Sequence, residues 1–400
     1  MFNFKIAGVK VRNFEIEYIK TDTALTDCVT HLETQEEIAF DLEFDKNLFR
    51  YGFNLCLIQI CSQTRCFVVD PMALTNAQLK PLFAVFENPK ILKVIHSGSE
   101  DLRLLQTLGC HLRGLFDTET ALKLLNYERT SLGSLILAKF EIEISKSLQT
   151  SNWGVRPLSE KQIIYSAHDV VFLLELRTIL TQELADAQKI DWFWQEVQHF
   201  ESLVFVVLPV TDFLTAADRK EFSEYHQFVL NGLLTFREKN AEKAAKPAYQ
   251  VIANDLVRKI VGDPTILDNW LKERGIYHAF KTSVFQEKMQ DVYAELCAEA
   301  DNQQLSKTDS GRVKLTDAQH RENTRRRHET ETFKEQIFKP IQAQIAARFN
   351  EPTARQVLTN TLVSDIASGK TRISEIPLRY KREILVQSAD ELGIDLARFE

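Results

Sequence analysis

Strand signals stop near residue 189 of this 400-residue chain, and nothing after that point restores them. Before it, "IAFDLEFD", "LCLIQICS" and "RCFVVDP" read as three successive strands, with the turn-prone "DKNLFRYGFN" joining the first two. A helix over about 76–86, the strand "KILKVIHS", a helix from about Ser99 to Gly109 and further helical segments to about 180 follow. An early meander and then alternating strand and helix imply an α/β domain built on a mixed sheet. The later residues carry only helical periodicity, including Phe333, Ile337, Ile341, Ile345 and Phe349 at steps of four.

The length calls for two or three domains. The pattern divides it into an α/β domain at 1–188, an aromatic-rich connector at 189–222 and a helical domain at 223–300. A polar linker at 301–331 and a helical C-terminal domain at 332–400 complete it. With 44% hydrophobic and 26% charged residues the composition is that of a soluble globular chain, and its longest apolar run, "LVFVVLPV" near residue 203, is far too short to cross a membrane. No signal peptide is read at the N-terminus. Six cysteines without a C-x-x-C pair read as small core residues of a reduced, cytoplasmic protein. A net charge of −7 argues against non-specific coating of nucleic acid but leaves room for an enzyme that clusters carboxylates around a cation.

Within "IAFDLEFD", residues two apart share a face of the strand, so Asp41 and Glu43 point together, away from Phe40, Leu42 and Phe44. Adjacent carboxylates repel unless water screens them or a cation holds them. "KVIHSGSEDLRLLQTLG" runs from a strand into a helix with Ser99 as the expected cap, placing Glu100 and Asp101 where acidic groups suit the helix dipole. Each of these features also has a purely structural explanation. Asp169 is harder to explain so: it is expected inside a helix among Ile163, Ile164, Val170, Val171, Phe172 and Leu173, one turn from Tyr165.

Taken in order, Asp41-x-Glu43, "HSGSEDLRLL" and Tyr165-x-x-x-Asp169 resemble the three motifs of the DEDD exonuclease superfamily in its tyrosine-containing branch. "FDLEFD", "LIQICS", "FVVDP", "VIHSGSEDLRLL", "FDTETA" and "SNWGVRPLSEKQIIYSAHDV" are similar to ribonuclease D over about residues 15–180. The resemblance implies a ribonuclease-H-like fold and 3′→5′ hydrolysis of terminal phosphodiesters with two divalent ions, Mg2+ or Mn2+. It implies RNA in preference to DNA, as in the 3′ processing of transfer-RNA precursors. Asp41 is then expected to bridge the metals, Glu43 and Asp169 to hold the one that activates water, Asp101 to support the second, and Tyr165 to position or help deprotonate the nucleophile, with positioning favoured by a phenol's ordinary pKa near 10. A DNA exonuclease and a binding protein with a degenerate site are the alternatives; protein partners are not specified.

Four nearby residues are weaker candidates for substrate contact: His96, and the loop residues Lys146, Trp153 and Arg156. His96 could equally be a buried hydrogen-bonded residue, and Trp153 could simply pack the loop. Asp117 is expected to cap the helix after it. Residues 230–262 resemble the start of an HRDC domain, with Phe236 where Trp is usual and Lys246 where an acidic residue often precedes the proline. A second HRDC-like unit at 333–394 is read from its three-helix pattern. Arg325-Arg326-Arg327 lies among Glu322, Glu329 and Glu331 and reads as a solvated mixed-charge helix.

Overall fold

The computed structural model describes residues 5–11, 14–145, 147–206, 209–311 and 316–400. Seven strands form one mixed sheet in the order β1-β2-β5-β4-β3-β6-β7. They are β1 (Lys5–Val11), β2 (Phe14–Ile19), β3 (Glu37–Lys46), β4 (Phe53–Cys61), β5 (Cys66–Val69), β6 (Leu92–Ile95) and β7 (Leu115–Asp117). β3, β4 and β5 are the expected antiparallel meander, while β6 and β7 add in parallel beside β3. β3 therefore lies inside the sheet between β4 and β6, and Ile38, Ala39 and Phe40 on it are fully buried.

β1, β2, β7 and the helix α1 (Asp22–Leu32) are additions to the sequence reading, which begins a helix at Phe116. In β2 the apolar residues alternate with charged ones, Phe14-Glu15-Ile16-Glu17, and Ile16 alone of these four is fully buried. The first domain continues with α2 (Asn76–Glu87), α3 (Ser99–Thr107), α4 (Thr118–Leu124) and α5 (Leu132–Phe140). The single helix expected around Asp169 is two, α6 (Glu160–His168) and α7 (Leu173–Asp186). α6 packs against β4 and β5, and α7 against β3 and β6.

Helix α8 (Ile190–Ser202) opens the segment read as a connector, yet Phe193 and Val197 bury in the core of the first domain. A separate apolar cluster spans Tyr225 to Ala300, centred on Leu230, Leu233, Ile260 and the fully buried Trp270. The segment read as a polar linker contains helix Asp317–Phe333, none of whose residues is buried. From Phe338 to Phe399 the chain returns to the core of the first domain. Trp192 of α8 stacks on Tyr380 at 4.8 Å, and Lys189 Nζ donates to the Leu124 carbonyl (2.7 Å) and Thr353 Oγ1 (3.3 Å). The step of four in the Phe333–Phe349 stripe outruns an α-helix, and a π turn at Lys334–Phe338 takes up the excess, so that Phe338, Ile341 and Ile345 all bury.

Candidate active site

β3 carries Asp41 and Glu43 into a cavity of about 430 Å3 that Tyr165, Asp169 and His96 also line. A bulge adjoins the pair: Glu43 stands opposite Leu57 and Phe44 opposite Leu55, so Cys56 is the extra residue on β4. Such bulges bend and twist a strand locally.

The second carboxylate arrives through a tight turn. Ser97 adopts φ 59°, and its amide donates to Asp117 Oδ1 at 2.9 Å. Gly98 has an ordinary φ but no room for a side chain, since a Cβ there would lie 2.1 Å from Ile95 Cδ1. Gly98 is the N-cap of α3, one residue earlier than the Ser99 expected. Glu100 and Asp101 then diverge. Glu100 turns outward to Lys46 Nζ at 2.5 Å, whereas Asp101 is buried and its Oδ1 has no hydrogen-bond partner. Asp117 caps α4 through the Glu119 amide at 2.9 Å, and so ties the α3 turn to that helix.

α6 starts at a capping box between Ser159 and Gln162 and ends with Asp169 as its C-cap. This places Asp169 at the mouth of the break between two helices rather than within one, and Tyr165 one turn back. Asp41, Glu43 and Asp169 each present one carboxylate oxygen, and the three lie within 4.8 Å of one another.

So many carboxylates in poor contact with water hold their protons unusually well. Burial, then Asp169, pushes Asp41 well above the carboxylate range; burial, then Asp41, does the same to Asp101. Glu43 rises to about 10 through burial and the charges of Asp41, Asp169 and Asp101, and burial takes Asp169 to about 7. The Tyr165 phenol is also raised, by burial and then by Asp169, Glu43 and Asp41. No neighbouring lysine or arginine is among the causes of these shifts. The donor set, all hard oxygens, suits Mg2+ or Mn2+, and the partnerless Asp101 Oδ1 is the kind of buried atom a cation or its water would satisfy.

The weaker candidates separate. His96 reaches the cavity, but its Nδ1 is 2.8 Å from Thr118 Oγ1, its ring also bonds the Thr130 backbone, and burial lowers its pKa to about 4. Trp153 is 3% exposed and backs the Tyr165 ring at 5.9 Å, which leaves no face for a base. Arg156 directs all five N–H donors inward, to both oxygens of Asp70 and to the carbonyls of Cys56, Trp153 and Val155. It is a structural pin with nothing left for a phosphate. Lys146 lies outside the described residues. The sequence reading passed over Glu119, Thr130, Ser131 and Gln149 on the cavity wall. Glu119 stood inside the quoted "FDTETA", but short polar loop residues carry no periodic signal.

Residues 16–185 match the protein family described as 3′-5′ exonuclease. Ribonuclease D of Gluconacetobacter diazotrophicus is 27% identical over 266 residues, which are 66% of this chain and 67% of that protein. Residues 16–185 thus form a 3′-5′ exonuclease domain that is similar to ribonuclease D. The exosome complex exonuclease RRP6 of Saccharomyces cerevisiae is 36% identical over 174 residues, 43% of this chain but only 24% of that protein. Similarity of fold extends past this exonuclease domain: the crystal structure of Escherichia coli RNase D superposes with a TM-score of 0.63 at 20% identity, covering 94% of this chain and 99% of the other. Among the described residues no helix is long and apolar enough to cross a membrane.

Proposed function

We propose that this chain is a 3′→5′ exoribonuclease that removes terminal nucleotides from structured RNA, such as transfer-RNA precursors, with two Mg2+ or Mn2+ ions. The observation that carries the reading is the convergence of Asp41, Glu43 and Asp169 within 4.8 Å beside Tyr165. Asp169 raises the proton affinity of Asp41, and Asp41 that of Asp101, so Asp41 stands between the two and is suited to bridge two ions; Glu43 and Asp169 would complete one site and Asp101 the other. When bound, a pair of divalent ions activates a water and neutralises charge on the attacking and leaving oxygens. The chain's own part is orientation. In the metal-free site burial and the neighbouring carboxylates hold the Tyr165 proton firmly, which suits its O–H to orienting the attacking water or a phosphate oxygen rather than to acting as a base. Trp153 behind the ring holds that phenol in place.

The G. diazotrophicus relative is a ribonuclease D, and E. coli RNase D is an exoribonuclease involved in structured RNA processing, which favours RNA here. We further propose that the helical unit at 223–300 is an HRDC-like module that holds substrate near the site. Five buried free cysteines fit a reducing compartment such as the cytoplasm.

The test is digestion of 5′-labelled single-stranded RNA and its DNA counterpart with magnesium, manganese or a chelator, beside Asp41→Ala protein. A metal-dependent ladder shortening from the 3′ end, faster on RNA and absent in the variant, is expected. Faster loss of DNA would assign the domain to DNA, and tight binding without a ladder would overturn the enzymatic reading.

A further inference from the structure

On the side of α3 away from the carboxylates lies a second cavity, of about 830 Å3, lined by Lys46, Phe53, Arg103, Thr107 and the strap Val204–Val206. Its position follows from elements already placed. Lys46 and Phe53 are cross-strand partners at the base of the β3–β4 hairpin, and Lys46 is three residues beyond Glu43, about 10 Å along the strand. Arg103 is two residues beyond Asp101, which on a helix puts it on nearly the opposite face. The strap is fastened to α3 at both edges of one peptide run: Gln106 Nε2 donates to the Leu203 carbonyl at 2.7 Å and Gln106 Oε1 accepts from the Phe205 amide at 2.9 Å.

The lining combines two cations with two rings. The Arg103 guanidinium stands 5.1 Å over Phe205, and the Lys46 ammonium 5.6 Å from Phe53. Glu100 holds both cations, at 2.5 Å from Lys46 and 3.7 Å from Arg103, while their side chains stay 52% and 43% exposed. Val204 and Val206, 73% and 72% exposed, flank Phe205 as apolar walls. Rings that offer a face to bases, with cations set to meet phosphates, are the elements of a sequence-tolerant single-strand platform.

We propose that this groove holds the single-stranded segment upstream of the nucleotide being removed. The proposal rests on the exoribonuclease reading and deepens it: the carboxylate cavity takes the 3′ end, and the groove past α3 retains the strand between successive cuts. A protein segment would use the apolar walls but has no need of two cations tethered over rings, so RNA is the occupant the lining favours.

The experiment compares the parent protein with Arg103→Ala/Phe205→Ala and with Lys46→Ala, substitutions at exposed or half-exposed positions outside the carboxylate site. Binding of a labelled long oligoadenylate is measured in chelator, where no cleavage occurs. The double variant is expected to bind about tenfold more weakly, the scale of one lost stacking platform. The slope of log affinity against log salt should fall by about 0.7 for the one lost phosphate contact. In magnesium its KM on the long strand rises by the same factor, while kcat and the hydrolysis of a dinucleotide, too short to reach the groove, stay at the parent value. Unchanged affinity for the long strand would overturn the proposal and leave the groove to a protein, and an equal loss on the dinucleotide would overturn it as a general disturbance of the fold. A parent protein that binds the strand but never cuts it would refute the exonuclease reading instead, and the chelator measurement still decides the groove.

Discussion

Replacing Asp169 by Asn should make the metal-free protein more stable, even though it removes a residue of the proposed active site. Asp169 has no hydrogen-bonded or paired partner to lose, and burial alone lifts its pKa from 3.8 to about 7. Its folded form thus binds a proton more tightly than the unfolded chain, so folding is favoured in acid and loses ground as pH rises from about 4 to about 7. Above that range the ionised carboxylate costs the fold about 4 kcal/mol, and partial contact with solvent reduces this to roughly 2 kcal/mol. The neutral amide carries no such cost and also relieves Asp41, whose proton affinity is raised by the Asp169 charge. Calorimetry at pH 8 in chelator should show a higher midpoint for Asp169→Asn, with the advantage shrinking to roughly a third at pH 5. Excess magnesium should reverse the order, because a ligand at 100 times its dissociation constant stabilises the parent by about 2.7 kcal/mol and the variant by much less. An Asn variant no more stable than the parent at pH 8 in chelator would refute the argument that burying the Asp169 charge costs the metal-free fold stability.

Three further substitutions probe other links. Tyr165→Phe should lower kcat by up to about 100-fold through loss of orientation without altering the shape of the pH–rate profile, because the phenol stays protonated throughout; a lost alkaline limb would make it a base. Arg156→Lys should destabilise the exonuclease domain by about 2–4 kcal/mol, since an ammonium cannot replace five donors shared between Asp70 and three carbonyls; urea titration reads this directly. Trp192→Ala should loosen residues 338–399 by about 3 kcal/mol, seen as faster proteolysis of the C-terminal helices with the sheet still intact.

Much of the site was legible because its residue types are improbable in their surroundings. An aspartate in an apolar helical run resists a patterning explanation, and beside it two carboxylates on one face of a strand cease to read as a solvated face; both features lie on the cavity. The details that escaped are set by tertiary space. Gly98, the N-cap of α3, sits where a Cβ would displace the end of the Ile95 side chain, and Ser97 takes a left-handed conformation whose amide Asp117, twenty residues on, binds. Arg156 looked like a phosphate ligand because nothing local reveals that Asp70, 86 residues earlier, would claim it. The helical stripe from Phe333 announced a buried face but not its partner. Its partners are the helices Glu351–Val357 and Arg379–Leu392, with Phe349 reaching Trp192 of α8, which had read as a connector.

Because the chain returns to its first core after leaving it, the unit formed by residues 213–305 is held at both ends by the same body. A module on one tether searches a sphere, but one hung between two anchors is confined to an arc, and here the Tyr249 hydroxyl and Gln250 Nε2 also donate to the Leu48 carbonyl of the loop after β3. A single nick in either connecting segment would therefore leave it joined to the enzyme, and only cuts in both would set it free.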